Sequence, residues 1–115
     1  MAQYMISVWH DDEYELDFES EEAQRRVAQV MEFNAALTAA EALLFAGGLR
    51  PASTSIVVKP EGATVAELDG PFADTKEQMG GFWFIEVSDS TDALNWARQA
   101  ALACEQPVEL RPLQG

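Results

Sequence analysis

Apolar side chains recur along the chain with two different periods, and the shorter period marks the strands. Continuous or alternating apolar segments rich in β-branched and aromatic residues suit a pleated, buried surface. The strongest such segment is Phe-Trp-Phe-Ile-Glu-Val at residues 82–87. Turn residues Pro-Glu-Gly at 60–62 join two of the weaker segments in a hairpin. Strands are predicted at residues 4–10, 42–49, 54–59, 64–68, 82–87 and 108–111.

Two further segments carry apolar residues at steps of three and four, which indicates amphipathic helices. The first is predicted from Ser20, a suitable N-cap, to about Ala40. Two glutamates follow Ser20, where a helix N-terminus favours negative charge. The second helix follows capping residues at 88–92 and occupies residues 93–104.

The order of these elements predicts an α+β fold in one domain spanning residues 1–115. With the hairpin set aside, the order is βαββαβ, the ferredoxin-like unit, in which both helices cover one face of an antiparallel sheet. The acidic residues 11–19 are expected to form a solvated connection, and residues 74–78 a short helical turn.

The strand at 82–87 is apolar on both of its faces. Phe82 and Phe84 lie on one face, whereas Trp83, Ile85 and Val87 lie on the other. The two helices can cover only one face, and an aromatic ring left in water forgoes about 1.5–3 kcal/mol. A second copy of the sheet is the expected cover, so the pattern predicts a homodimer.

The charge of the chain limits its partners. Twenty acidic residues against seven Lys and Arg give a net charge of −13. Nucleic-acid binding needs clustered Lys and Arg, and an anionic membrane surface repels such a protein, so neither partner is expected. A single cysteine, Cys104, and an N-terminus without the pattern of a signal peptide favour the cytoplasm.

Residues 68–82, Leu-Asp-Gly-Pro-Phe-Ala-Asp-Thr-Lys-Glu-Gln-Met-Gly-Gly-Phe, resemble the signature of the YCII-related superfamily, in its DGPF branch. Residues 33–37, 47–51 and 109–112 are similar to that family's first helix, second strand and closing strand. The resemblance implies a ferredoxin-like α+β barrel built by two subunits, in agreement with the two-faced sheet.

The same resemblance bears on function. Members of the broader group are thought to carry a His–Asp pair in a cleft, and some are lyases or dehalogenating enzymes acting on small ring compounds. Members of the DGPF branch are often found near extracytoplasmic-function sigma factors. The group's histidine belongs to the first helix, where this chain has Phe33 and Asn34 instead. This departure argues against the His–Asp chemistry here.

Asp69 is the candidate general base or ligand contact, because the broader group's aspartate lies in a comparable loop. The alternative is turn chemistry, in which the carboxylate bonds backbone N–H groups two residues further on. Lys76 could bind an anionic group of a substrate, and Glu77 lies beside it. The alternative for both is a pair of solvated charges, with Thr75 capping the predicted helical turn.

Arg111 and Glu109 share a face of the last strand. Arg111 could orient a carboxylate or phenolate of a ligand, or could form an ion pair across the barrel. His10, the only histidine, is a further candidate ligand contact, although it could equally be a solvated strand end. The residues offer no metal-ligand spacing and no phosphate-binding loop, so no metal or cofactor is expected.

Three functions remain open at this level. The first is a dimeric module that binds a small aromatic or anionic compound beside the loop with Asp69 and Lys76. The second is a lyase- or hydrolase-type enzyme with Asp69 as base and Lys76 or Arg111 holding developing negative charge. The third, prompted by the resemblance, is an accessory of a sigma factor that uses the acidic helix face around Glu21, Glu22 and Glu32.

Overall fold

A computed structural model describes residues 1–11 and 19–115 of the chain. The predicted connection at 11–19 therefore lies almost entirely outside the described residues. The strands are β1 (Ala2–Asp11), β2 (Leu43–Gly48), β3 (Ile56–Glu61), β4 (Thr64–Asp69), β5 (Glu77–Val87) and β6 (Val108–Pro112). The helices are α1 (Glu21–Ala39) and α2 (Ser90–Cys104), with a short 3-10 turn at Ala52–Thr54.

Four strands form one antiparallel sheet in the order β2-β5-β1-β6, and β3 pairs with β4 in a separate hairpin. This is the strand order of a ferredoxin-like βαββαβ unit with a hairpin inserted between its second and third strands. The predicted α+β fold is confirmed. The sheet of the single chain does not close into a barrel.

The helices begin at polar caps. The side-chain oxygen of Ser20 accepts a 3.1 Å hydrogen bond from the backbone N–H of Ala23, as the sequence predicts. The carboxylate of Asp89 accepts a 2.8 Å bond from the N–H of Asp92 at the start of α2. Each cap satisfies a backbone donor that has no partner inside its helix.

The hydrophobic core lies between the two helices and the sheet face that they cover. Ile6 of β1 and Ile85 of β5 are fully buried there, together with Leu37 of α1. The ring of Phe33 meets the indole of Trp83 edge to face at 5.1 Å between centroids, and it meets Trp96 in the same way at 6.0 Å. Aromatic pairs in this geometry add about 0.5–1.5 kcal/mol to the burial of their area.

The opposite side of the sheet, which the helices leave uncovered, is called the open face. Its most apolar part is a row of three rings: Phe82 lies 5.8 Å from Phe45 and 5.4 Å from Phe84, between ring centroids. Phe45 keeps 60% of its surface exposed. β5 is therefore apolar on both faces, as its sequence predicts.

The segment before β5 differs from the prediction. Residues 74–78 contain one bend, at Lys76, and the first residues of β5 rather than a helical turn. The side-chain amide of Gln78 donates hydrogen bonds to the carbonyl oxygens of Ala73 and Thr75, at 2.7 and 3.2 Å. Thr75 donates its hydroxyl to the carbonyl of Glu77 instead of capping a helix. These side-chain bonds replace the backbone bonds that a helical turn would need.

The chain is extended for its length. Its radius of gyration is 16.2 Å and its dimensions are 46 × 41 × 19 Å, whereas a compact chain of this length has a radius of gyration of about 13 Å. The β3–β4 hairpin and the loop after it expose large apolar side chains, namely Ile56, Val58, Val65, Leu68 and Phe72. In the part of the chain described, no helix is long and apolar enough to cross a bilayer.

Candidate functional site

A cavity of about 820 Å³ opens on the helix-covered side of the sheet, at the end where β1 finishes and β5 begins. This volume lies within the range of small-molecule sites, about 300–1,000 Å³. Its walls are formed by residues of both helices, of β1, β2 and β5, and of the 3-10 turn. The lining residues include Val8, His10, Asp11, Val30, Asn34, Ala46, Gly48, Gln78, Gly80, Trp83 and Cys104.

A β-bulge places His10 at the cavity. The pairing of β1 with β5 passes from Val8 opposite Gly81 to Trp9 opposite Met79, so Gly80 has no partner across the ladder. A Cβ atom at Gly80 would overlap Nε2 and Cδ2 of the His10 ring. The imidazole ring therefore packs over the backbone of β5 at residue 80, where a side chain on any other residue would overlap the ring. Bulges of this kind commonly redirect side chains beside binding sites.

Asn34 and Trp83 form the polar contact of the inner wall. The indole N–H of Trp83 donates a 2.7 Å hydrogen bond to Oδ1 of Asn34. Trp83 is only 5% exposed, so the bond satisfies a buried donor and fixes the amide of Asn34. With its oxygen occupied, Asn34 can offer a ligand its N–H₂ group as a donor.

Gln78 provides a hydrogen-bond acceptor, which complements the donor of Asn34. Its amide nitrogen donates to the carbonyls of Ala73 and Thr75 in the preceding loop. Those bonds occupy the donors of the amide, so the group that Gln78 can offer to a ligand is its carbonyl oxygen, an acceptor. The cavity thus combines apolar walls with one fixed donor and one fixed acceptor.

The thiol of Cys104 lies at the back of the cavity. Burial raises the pKa of Cys104, and the neighbouring Glu105 carboxylate adds to that rise, while backbone hydrogen bonds oppose it. The group is therefore a neutral thiol near neutral pH rather than a nucleophilic thiolate.

Of the five site residues expected from the sequence, the cavity lining contains His10. Asp69 ends β4 and is exposed, and Lys76 and Glu77 are exposed where β5 begins. Arg111 is exposed on the open face, directly across from Met5 of β1. The structure of one chain thus does not bring these four residues into the cavity with His10.

The loop at Asp69 depends on close packing rather than on the carboxylate. Residue 71, two positions after Asp69, is a proline and has no N–H to donate. Among residues 1–11 and 19–115, the Asp69 side chain makes none of the hydrogen bonds or ion pairs found. Gly70 bonds the carbonyl of Ser55 through its N–H at 2.9 Å, and a Cβ at Gly70 would overlap the Ser55 side chain.

Three residues that shape the cavity are not among the candidates that the sequence predicts. Asn34 lies in the predicted first helix, in register with the apolar residues of that helix, and Gln78 lies in the segment predicted as a helical turn. Gly80 stands in a Gly-Gly pair, and only the pairing register reveals it as a bulge. The available signal was a polar residue, Asn34, in an otherwise apolar stripe.

Comparison with known proteins identifies a family and a relative. The family model described as the YCII-related domain matches residues 2–113. An uncharacterized protein of Rhizobium meliloti (strain 1021) is 27% identical to the chain over 112 residues. That alignment covers 96% of this chain and 90% of the relative.

Proposed function

The chain belongs to the YCII-related domain family, and on that basis we propose that it is a homodimer that binds a small aromatic compound in the cavity beside His10. The observation that carries the proposal is the cavity itself, with its apolar walls and few fixed polar groups. Such a combination is typical of sites that bury an aromatic ring and orient it by one or two hydrogen bonds.

The contacts around Trp83 support an aromatic ligand. The indole is held on one side by the ring of Phe33 and at its N–H by Asn34. Because the indole is 5% exposed and held by these contacts, it forms a small, rigid part of the apolar wall that an aromatic ring can meet at little cost in side-chain entropy. His10 can add a hydrogen bond at the other end, beside the bulge.

The open face supports the homodimer. Three adjoining rings and the exposed hairpin form apolar surface of the kind that marks interaction sites. A second copy of the same sheet offers the matching surface, since two sheets pack face to face when both inner faces are apolar. The extended shape of the chain also leaves room for a partner beside the hairpin.

Gly48 allows a direct test of the cavity. Its neighbour Gly47 faces the Phe82 ring on the open face, so a side chain at position 48 points to the cavity side. A Cβ at Gly48 meets no atom within 4 Å, and its backbone does not require glycine. Gly48→Leu should therefore fill the cavity while leaving the fold intact.

The experiment is a thermal-shift screen of phenols, benzoates and benzylamines, followed by calorimetric titration of the compounds that bind. Gly48→Leu should weaken binding at least about tenfold, since it removes apolar contacts that are worth about 1.5 kcal/mol or more. Gly48→Ala is the matched control and should bind nearly as well as the natural chain. No binding by any of the three compound classes, or full binding by Gly48→Leu, would refute the proposed site.

Sedimentation equilibrium tests the dimer. The natural chain should have the mass of two copies at micromolar concentration, and Phe45→Asp should shift it to one. Leu102→Asp is the control, because Leu102 is 77% exposed on α2, away from the open face. This part of the proposal would be refuted if the natural chain were monomeric. It would also be refuted if Leu102→Asp dissociated the dimer and Phe45→Asp did not.

The enzymatic alternative has less support. A general base must lie within hydrogen-bond reach of its substrate, and Asp69 is exposed and outside the cavity lining. If turnover of any cavity ligand is found, Asp69→Asn should leave it unchanged, and His10→Gln should reduce it.

A further inference from the structure

The amide of Asn34 has a fixed orientation. The indole N–H of Trp83 can only donate, so the atom of Asn34 that meets it at 2.7 Å is the carbonyl oxygen. The N–H₂ group of Asn34 is therefore directed away from the indole, and within residues 1–11 and 19–115 it makes no hydrogen bond. Asn34 lines the cavity. A donor without an acceptor beside apolar walls favours a ligand that provides the acceptor.

Gln78 presents the opposite pattern. Its N–H₂ group donates to the carbonyl oxygens of Ala73 and Thr75, at 2.7 and 3.2 Å. These bonds use the amide hydrogens, whereas the carbonyl oxygen of Gln78 makes no hydrogen bond with the described part of the chain. Gln78 is the cross-strand partner of His10, so the two side chains share one face of the sheet, and both line the cavity. A ligand that bonds Gln78 must therefore be a donor.

The charges of the cavity lining do not favour an ionised ligand. Within the described residues, the lining contains no Lys or Arg, and Asp11 is its one acidic residue. Asp11 follows His10 in β1, so its side chain lies on the opposite face of the strand. At a pH where the imidazole of His10 is uncharged, an ion entering the cavity would lose hydration without gaining a charged partner.

From these observations we infer that the ligand is an uncharged aromatic compound whose polar groups both accept and donate hydrogen bonds, as those of a carboxamide or a phenol do. The inference rests on the proposed aromatic-binding cavity and names the class of its ligand. An oxygen of the ligand accepts from the N–H₂ group of Asn34, and an N–H or O–H of the ligand donates to the oxygen of Gln78. Asn34 is thus a specificity-determining residue, because it selects an acceptor.

The test compares three ligands of one planar shape that differ in charge and in hydrogen-bonding groups. These are para-fluorobenzamide, para-fluorobenzoate and para-fluorobenzamidine, each followed by fluorine NMR. Each is titrated with the full chain at about pH 8, where an ordinary imidazole is uncharged. The benzoate offers acceptors alone, and the benzamidinium ion offers donors alone. The benzamide should bind at least about tenfold more tightly than either ion, since each ion leaves one of the two amides unpaired.

A substitution at Asn34 should reverse this preference. In Asn34→Asp the carboxylate keeps an oxygen for the indole N–H of Trp83 but replaces the N–H₂ donor with a negatively charged acceptor. The benzamidinium ion should then bind more tightly than the benzamide, a reversal that a merely structural role of Asn34 would not produce. Asn95→Asp is the matched control. Asn95 is exposed on α2 outside the lining, so this variant adds the same charge and should keep the natural order of affinities.

The outcomes separate the inference from the proposed function. If either ion binds the natural chain as tightly as the benzamide or more tightly, the inference is wrong and the aromatic cavity stands. A folded Asn34→Asp that keeps the natural order, or a reversal in Asn95→Asp as well, overturns the role of Asn34. If none of the three ligands binds, the proposed function fails and the inference fails with it. The comparison in the natural chain decides the ligand class even if Asn34→Asp does not fold, which circular dichroism verifies.

Discussion

The position of His10 depends on the absence of a side chain at Gly80, and Gly80→Ala tests this dependence. The added Cβ would overlap Nε2 and Cδ2 of the ring and would lie 3.5 Å from Cε1. Normal carbon contacts are about 3.5–4.0 Å, so the ring must move by roughly 1 Å or more. Because these atoms are at the end of a side chain, we expect the ring to rotate away while the strand stays in place.

The expected change in stability is therefore small. Replacing glycine by alanine in a strand interior stabilises the fold by about 0.5–1 kcal/mol. Overpacking costs about 1–3 kcal/mol, and the low end applies where a side chain can move. The free energy of unfolding of Gly80→Ala, from urea titration, should lie within about 1 kcal/mol of that of the natural chain.

The assay uses the single histidine, which gives one set of imidazole signals in the NMR spectrum. In Gly80→Ala those signals should shift, and affinity for the cavity ligand should fall. Gly70→Ala is the contrasting variant, because its Cβ would lie 3.2 Å from the backbone carbon of Ser55, which cannot rotate away. It should lose about 1–3 kcal/mol without shifting the imidazole signals. Unchanged imidazole signals in Gly80→Ala would refute the packing of His10 across the bulge.

Three further predictions concern the core, the helix ends and the thiol. Phe33→Ala should destabilise the fold by about 3–5 kcal/mol in urea titration, and a loss below about 1.5 kcal/mol would contradict its central place among the rings. Arg25 holds the pKa of Glu105 below its usual value, with Gln29 and Arg26 assisting. The stability that Glu105 gives is thus present above its unfolded pKa and is lost as pH falls through the lower folded value. Glu105→Gln should therefore unfold more easily than the natural chain near neutral pH, and the difference should disappear as the solution is made acidic enough to protonate Glu105 in the folded chain. Cys104 should react with iodoacetamide far more slowly in the folded chain than in urea, and equal rates would show that burial does not keep the thiol protonated.

The sequence predicted the sheet and helices well because hydrophobic periodicity depends on local burial. Trp83, Ile85 and Val87 were assigned to one face, and they are buried against the helices. The cap at Ser20 is equally local and was predicted. The helical turn predicted at residues 74–78 is wrong for a specific reason: the side chain of Gln78 supplies the hydrogen bonds of that segment. Helix propensity does not account for such side-chain bonds.

The cavity could not be predicted in the same way. Its lining joins residues as far apart in the sequence as Val8 and Cys104, and their meeting depends on strand order and on one bulge. Asp69 is a candidate because the broader family has an aspartate in a comparable loop, but in this chain its carboxylate is exposed at the end of β4. His10 is a candidate that lies in the cavity lining, but its position in the sequence does not distinguish a cavity residue from a solvated strand end.

The most direct test of the ligand site uses the indole N–H signals of the three tryptophans in a nitrogen–proton NMR spectrum. Trp83 faces the cavity, whereas Trp9 bonds Ser7 through its N–H at 2.8 Å on the open face and serves as an internal reference. Titration with a compound that binds in the thermal-shift screen should shift the Trp83 signal in a saturable manner and leave that of Trp9 in place. A shift of Trp9 alone, or saturable binding that leaves Trp83 unaffected, would contradict the account.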